Sequence, residues 1–239
     1  MSDYGFRSVR LEDQYATGSR SQEAILSTNR VLKNTYLLLS MTLLWSAAAA
    51  GIAMALDMSH MVGLILLLVG FGCLFWVHKT ADSSTGIVAI FAFTGCLGAS
   101  LGPTLNYYIA TLSNGTEIVM QALGGTGLIF LTLSGYVLTT RKDFSFMRGF
   151  LVTGLMIVLL AMVGNLIMGL FGMYMSALSL AISSAVILLM SGFILFDTSR
   201  IIHGGETNYI RATVSLYLNI YNLFIHLLHL LAVLSGSRD

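Results

Sequence analysis

FMRGFLVTGLMIVLLAMVGNLIMGL (Phe146–Leu170) carries one charge, Arg148, near its start and then none to its end. At about 1.5 Å of rise per residue, a helix over this run outreaches the roughly 30 Å of a bilayer's hydrocarbon core. Working outward, six further apolar runs appear: Asn34–Leu56, Met61–Val77, Gly86–Ala110, Ile118–Thr140, Met173–Phe196 and Tyr209–Leu234. Only Met61–Val77 is marginal in length. The connections are Asp57–His60, His78–Thr85, Thr111–Glu117, Arg141–Ser145, Gly172 and Asp197–Asn208. They are short enough to force neighbouring helices antiparallel. The composition agrees. Hydrophobic residues make up 56% of the 239 and charged residues 10%, with a mean hydropathy of +0.83. A soluble domain carries about 25% charged residues, so the charges here are too few to coat a globule. One proline and 24 glycines suit long helices with small residues at their contacts. The expected fold is an all-α, polytopic, seven-helix bundle over residues 34–239, with the lipid bilayer as its surroundings. A net charge of +1 gives no argument for nucleic acid, and none is expected as a partner.

Residues Met1–Lys33 differ from the rest. Arg7, Arg10, Arg20, Arg30 and Lys33 mix there with Asp3, Glu12, Asp13 and Glu23, and the apolar residues follow neither helical nor strand period. This segment is expected to be a flexible cytoplasmic tail. Its apolar core lies too far from the start for a cleavable leader. Lys79, Arg141, Lys142, Arg148, Arg200 and Arg211 fall on the tail's side of the membrane, so 11 of the 12 Lys and Arg share one side. Arg238 alone lies opposite. The positive-inside rule then places the N-terminus in the cytoplasm and the C-terminus outside. Seven spans satisfy this and six do not.

Gly95, Gly98 and Gly102 recur at helical spacing in the third run, and Gly124, Gly125 and Gly127 lie in the fourth. Both sets are expected to let helix backbones approach. Pro103 should kink the third run. No internal repeat supports an inverted-repeat transporter. Cys73 and Cys96 read as small buried residues rather than a disulfide or metal pair.

Charges within the bilayer need a reason. Asp57 and Glu117 belong to outer loops, and Asp82 and Asp143 to inner ones. Asp197 differs, because a helix continuing through Ile201 and Ile202 would draw it below the surface. There it is either a proton-sensitive gate or ion ligand, or a partner of Arg200, His203 or Arg211, the charged neighbours on the cytoplasmic side. Ser215, Asn219, Asn222, His226 and His229 are spaced 4, 3, 4 and 3 and share one stripe of the seventh run. That stripe is either interhelical hydrogen bonding or a hydrated path. No HExxH accompanies His226 and His229, so an intramembrane zinc hydrolase is not supported. Lys33, Lys79 and Lys142 leave no lysine for a retinal Schiff base. Gly124-Gly-Thr-Gly127 sits in an apolar helix and does not suit phosphate. No catalytic residue, cofactor or metal site is expected.

Three segments carry a resemblance: Gly135–Ser145, Gly192–Ile202 and Leu216–Phe224. They resemble the Bax inhibitor family (TMBIM) of seven-helix membrane proteins. Leu101–Asn106 and the long run Ile201–Tyr217 resemble a bacterial inner-membrane branch of that family. The likeness covers about Ile25 to the C-terminus. It implies two functions. The bacterial branch is associated with the membrane ATP-dependent protease FtsH, as a slow substrate that also restrains it. The tail would then be what a pulling protease grips. Other members are calcium leaks governed by two aspartates that share a proton. Asp197 matches the first, and Asn219 stands where the second would be. An Asp–Asn pair hydrogen-bonds without the coupled titration of two carboxylates. The resemblance therefore implies a non-enzymatic, multi-pass protein of the bacterial inner membrane that modulates FtsH. The alternative is a cation or calcium leak with Asp197, Asn219, Asn222, Ser215 and His226 along its path.

Overall fold

The computed structural model describes the backbone of residues 3–173 and 176–236 and the side chains of residues 26–173 and 176–235. The described residues form seven long helices: α1 (Asp3–Ala55), α2 (His60–Thr80), α3 (Thr85–Thr111), α4 (Gly115–Thr140), α5 (Arg148–Leu170), α6 (Ser176–Ile202) and α7 (Tyr209–Gly236). A single 3-10 turn, Ser145–Met147, precedes α5. All seven are long and apolar enough to cross a membrane. The marginal second run gains length at both ends, with Ser59 capping α2 by accepting from the Val62 amide.

One boundary, the end of the sixth helix, differs from the sequence reading and bears on the site. Helix α1 runs back from the first span without a break to Asp3. The backbone over residues 3–33 is helical and continuous with the first span. Once the span supplies a nucleus, each added residue costs little, and no proline stands in the way. The side chains of residues 1–25 lie outside the described residues. The sixth helix does not stop at Phe196 but continues to Ile202, which shortens the last connection to residues 203–208. It ends where Gly204 takes φ +74°, a left-handed conformation that closes a helix and favours glycine. The Gly205 amide then donates to the Arg200 carbonyl at 2.8 Å.

Helix α7 lies at the centre, touching α1, α2, α3, α4 and α6. Helix α5 is the peripheral one: among the described residues its Cα atoms come within 8 Å of α6 and of its own leading turn alone. Helices α1 and α3 pack closely because α3 presents no side chains there. A Cβ on Gly98 would strike the Ser46 backbone, and one on Gly102 would come within 2.5 Å of Ala53 Cβ. The Trp45 indole covers Gly95 and donates to the Phe91 carbonyl at 3.0 Å. The fourth-run glycines behave differently. Gly125 faces Leu227, but Gly124 and Gly127 meet nothing within 4 Å. They lie on a helix face that no neighbour covers, so helical spacing alone did not mark a contact there. Helix α3 passes through Pro103 without ending. Cys73 and Cys96 are free thiols.

Polar contacts tie the helices together inside the bundle. Ser46 of α1 meets the Tyr217 hydroxyl of α7 at 2.7 Å, and Tyr217 donates to the Thr94 carbonyl of α3 at 3.3 Å. Tyr36 bonds Ser134 of α4. The even-numbered connections gather at one end, here the basic end. Asn208 donates there to the Ala81 carbonyl at 2.9 Å and to Asp82 at 2.8 Å. The Phe144 amide donates to Ser199 Oγ at 2.9 Å. The Ser145 hydroxyl and amide both bond Asp143 Oδ1, at 2.6 and 2.8 Å, and hold that carboxyl below the ordinary range.

Candidate functional site

Continuation of α6 to Ile202 places Asp197 about 7.5 Å below the helix end. Only 6% of the residue is exposed. Asp197 Oδ2 accepts from Ser215 Oγ at 2.9 Å and from Asn219 Nδ2 at 2.8 Å. Both donors lie one turn apart on α7, so the i, i+4 spacing delivers two donors to one oxygen. Asn219 is itself buried, at 6% exposure. Hydrogen bonds of this kind favour the charged form of a carboxylate, whereas burial disfavours it.

Of the three expected cationic neighbours, one faces Asp197. Arg200 Nη1 lies 3.9 Å from Asp197 Oδ1, too far for a hydrogen bond. Its Nη2 is closer to Glu206, at 3.3 Å, and its guanidinium also lies over the Phe196 ring. Arg211 turns away and pairs with Asp82. His203 bonds the Ser199 carbonyl at 2.9 Å. Arg211 and His203 are thus engaged elsewhere, and Arg200 is the member of that set beside Asp197. His203 stands just before the left-handed Gly204 and Arg211 in the first turn of α7, and their partners lie at that end of the bundle.

The polar stripe of α7 is divided. Ser215, Asn219 and Asn222 line a chamber of about 680 Å³ with Asp197, Arg200 and Arg148. Asn222 Nδ2 donates back to the Leu218 carbonyl at 2.8 Å. His226 and His229 instead line a second chamber of about 670 Å³ toward the opposite end. There His226 Nδ1 meets Ser183 Oγ at 3.2 Å. His229 meets Ser179 Oγ at 3.0 Å and the Tyr108 hydroxyl at 3.2 Å. Buried Val158, Val186 and Leu223 stand at intermediate heights on α5, α6 and α7. His226 thus shares a helix face with Asn219 but not a cavity.

Several residues of these chambers escaped the sequence reading. Glu206 competes for Arg200. Ser179, Ser183 and Tyr108 receive the two histidines. Asn165 lies on α5 in the wall of the second chamber, and its buried Oδ1 has no hydrogen-bond partner. A lone amide in the otherwise apolar stretch Gly149–Leu170 was the available signal for it. Chemically, the Asp197 chamber offers one carboxylate and several neutral oxygens. A resident Ca²⁺ takes 6–8 oxygens at 2.3–2.6 Å. Among the described residues no group of three or more His, Cys, Asp and Glu could hold a metal ion. Arg148 and Arg200 also line the Asp197 chamber, so its charged groups are one carboxylate and two guanidiniums.

A family model described as "Inhibitor of apoptosis-promoting Bax1" matches residues 28–236. The chain is 52% identical over 222 residues to a membrane protein of Vibrio cholerae, spanning 92% of this chain and 97% of that one. It is 51% identical over 228 residues to "Modulator of FtsH protease YccA" of Escherichia coli strain K12, spanning 95% of this chain and all of that one. The same identity and coverage hold for "Inner membrane protein YccA" of Escherichia coli strain CFT073.

Proposed function

The chain belongs to the Bax inhibitor family, and from that premise we propose that it is a bacterial inner-membrane protein that binds and restrains an FtsH-type membrane protease. It does so by occupying the protease, without catalysis of its own. The observation that carries this reading is the near-full-length likeness to the modulator of that protease. The mechanism has a physical basis. A protease that pulls on the N-terminal segment first meets α1, which packs against α3, α6 and α7. Glycine contacts with α3 and the Ser46–Tyr217 hydrogen bond oppose its removal. A chain held in this way is drawn out slowly and keeps the protease engaged.

Removal of the tail tests the grip. Thr28, Asn29 and Leu32 line a pocket with Arg141 and His203. The deletion should therefore end before Leu26 rather than at Lys33. A chain lacking residues 2–24 should persist longer in cells and lose its restraint on the protease. Fast turnover of the shortened chain with restraint unchanged would refute the grip. Loss of co-purification between the full chain and the protease would refute the partnership itself.

The orientation belongs to the same proposal, with the N-terminus and the basic end cytoplasmic and the C-terminus outside. Alkaline phosphatase fused after Asp239 should be active, and green fluorescent protein fused there should be dark. A fluorescent C-terminal fusion would reverse this.

A second reading, a cation leak, is favoured by buried Asp197 and its two donors in a chamber near the basic end. It needs no partner. Calcium entry into liposomes containing only this protein would support it, and tight liposomes would not.

A further inference from the structure

The two cysteines belong to no sequence motif, yet the fold brings them together. Cys73 lies on α2 and Cys96 on α3, both free and half-buried. Gly63 of α2 sits against Ser100 and Pro103 of α3, and Gly70 sits against Leu97 and Cys96. The numbers rise along one helix as they fall along the other, so the pair is antiparallel. A Cβ at Gly70 would stand 3.6 Å from Cys96 Cβ, and Cys73 lies one turn further along the same side of α2. Helical side chains lean toward the N-terminus of their own helix. In an antiparallel pair, Cys73 therefore leans toward the level of Cys96, and Cys96 leans toward the level of Cys73. The two thiols come within reach of a side-chain hydrogen bond.

Their surroundings narrow the chemistry. Roughly 10 Å of helix separates Cys73 from the end of α2 at Thr80, and roughly 16 Å separates Cys96 from the start of α3 at Thr85. Both thiols thus lie within the roughly 30 Å of hydrocarbon. Phe71, Phe75 and Trp76 are exposed around Cys73 on α2, which puts lipid beside it. A lasting thiolate is costly in such a place. Among the described residues no group of three or more His, Cys, Asp and Glu could hold a metal ion, and a metal held by two thiolates alone would carry charge into lipid. A disulfide is neutral and apolar. Glutathione and thioredoxin, which keep cytosolic thiols reduced, work from water. An oxidant for this pair must come from the lipid side, and quinones of bacterial membranes already accept electrons from dithiol oxidation.

We propose that Cys73 and Cys96 are a redox pair, oxidised to an intramolecular disulfide by a lipid-soluble quinone. Two S–H bonds break and one S–S bond forms. The two electrons and two protons pass to the two quinone oxygens, giving the hydroquinone, so no thiolate is left alone in hydrocarbon. The product closes residues 73–96 into a loop, and α2 can no longer leave the bundle without α3. The site is separate from Asp197 and stands whether or not the protein restrains a protease.

The test uses the full-length, reduced protein in phosphatidylcholine nanodiscs. One probe is decylubiquinone, whose fully substituted ring blocks thiol addition, and the other is oxidised glutathione, which stays in water. The quinone should yield a chain lighter by two hydrogens, with the peptides containing Cys73 and Cys96 joined, and one hydroquinone for each chain oxidised. It should act at least about tenfold faster than oxidised glutathione, because thiol oxidation follows access. Cys73→Ser and Cys96→Ser should each abolish hydroquinone formation and leave thermal unfolding of the reduced protein unchanged. Thiols still free in the natural chain after quinone treatment would overturn the proposal. Equal rates with the two oxidants would overturn it by placing the pair within reach of water. Disulfides between two chains, with none inside one, would overturn it as well.

Discussion

Asn219→Asp is expected to give the purified protein in calcium-loaded liposomes a flux that switches with pH and exceeds that of the natural chain at least about tenfold, because two carboxylates in hydrogen-bond contact cannot both ionise cheaply. In the natural chain Asn219 Nδ2 donates to Asp197 Oδ2 at 2.8 Å. That bond pins α6 to α7 whatever the state of any second acid. With aspartate at 219, the pin exists only while the two carboxyls share a proton. Two full negative charges at that separation repel by roughly 6 kcal/mol at an effective dielectric of 20. Loss of the shared proton should then separate the helices and widen the chamber. Flux should be low in acid, where the proton is shared, and rise as pH increases. Strong pH-gated flux in the natural protein, lost in Asp197→Asn, would show that Asp197 switches without a carboxylate partner. Liposomes tight to calcium with both the natural chain and Asn219→Asp would leave Asp197 as a structural pin and end the leak reading.

Gly98→Leu should have the largest effect on the proposed restraint. A side chain at position 98 meets the Ser46 backbone oxygen, and its Cβ would lie 2.7 Å from Ser46 Cα. Backbone cannot rotate aside as a side chain can, so α1 must move off α3. Overpacking of this kind costs about 1–3 kcal/mol or more. The shift would also break the Ser46–Tyr217 hydrogen bond, which couples α1 to the central helix. The variant should melt earlier, be degraded faster in cells and no longer restrain the protease. Gly124→Leu is the control, because Gly124 meets nothing within 4 Å; its half-life should match that of the natural chain. Equal half-lives and equal restraint for Gly98→Leu and the natural chain would show that α1–α3 packing does not set the rate of extraction.

Near-complete legibility of the spans in the sequence has a simple cause. Transfer of a helix into lipid depends on hydropathy summed along the chain, and that sum needs no knowledge of neighbours. The seven runs, their order and the short connections follow from it. Span ends were less legible. Met1–Lys33 reads as a tail because its apolar residues keep no period, and the backbone of residues 3–33 continues the helix of the first span. At the other margin, Thr198-Ser-Arg200 looked like a loop, whereas the helix stops only where Gly204 takes a left-handed conformation.

The polar stripe of α7 shows the division most clearly. Spacing alone put Ser215, Asn219, Asn222, His226 and His229 on one face, and the Asp197–Asn219 contact follows from that face meeting α6. Periodicity is a property of one helix, so the sequence by itself determined the stripe, the seven spans and the helix-facing glycines of α3. It did not determine that His226 and Asn219 line different chambers, or that Arg211 answers Asp82 rather than Asp197. Nor did it separate Gly98, pressed on α1, from Gly124, facing open space. Those outcomes depend on which faces of different helices meet and at what height, and that was decided only by the tertiary packing of all seven.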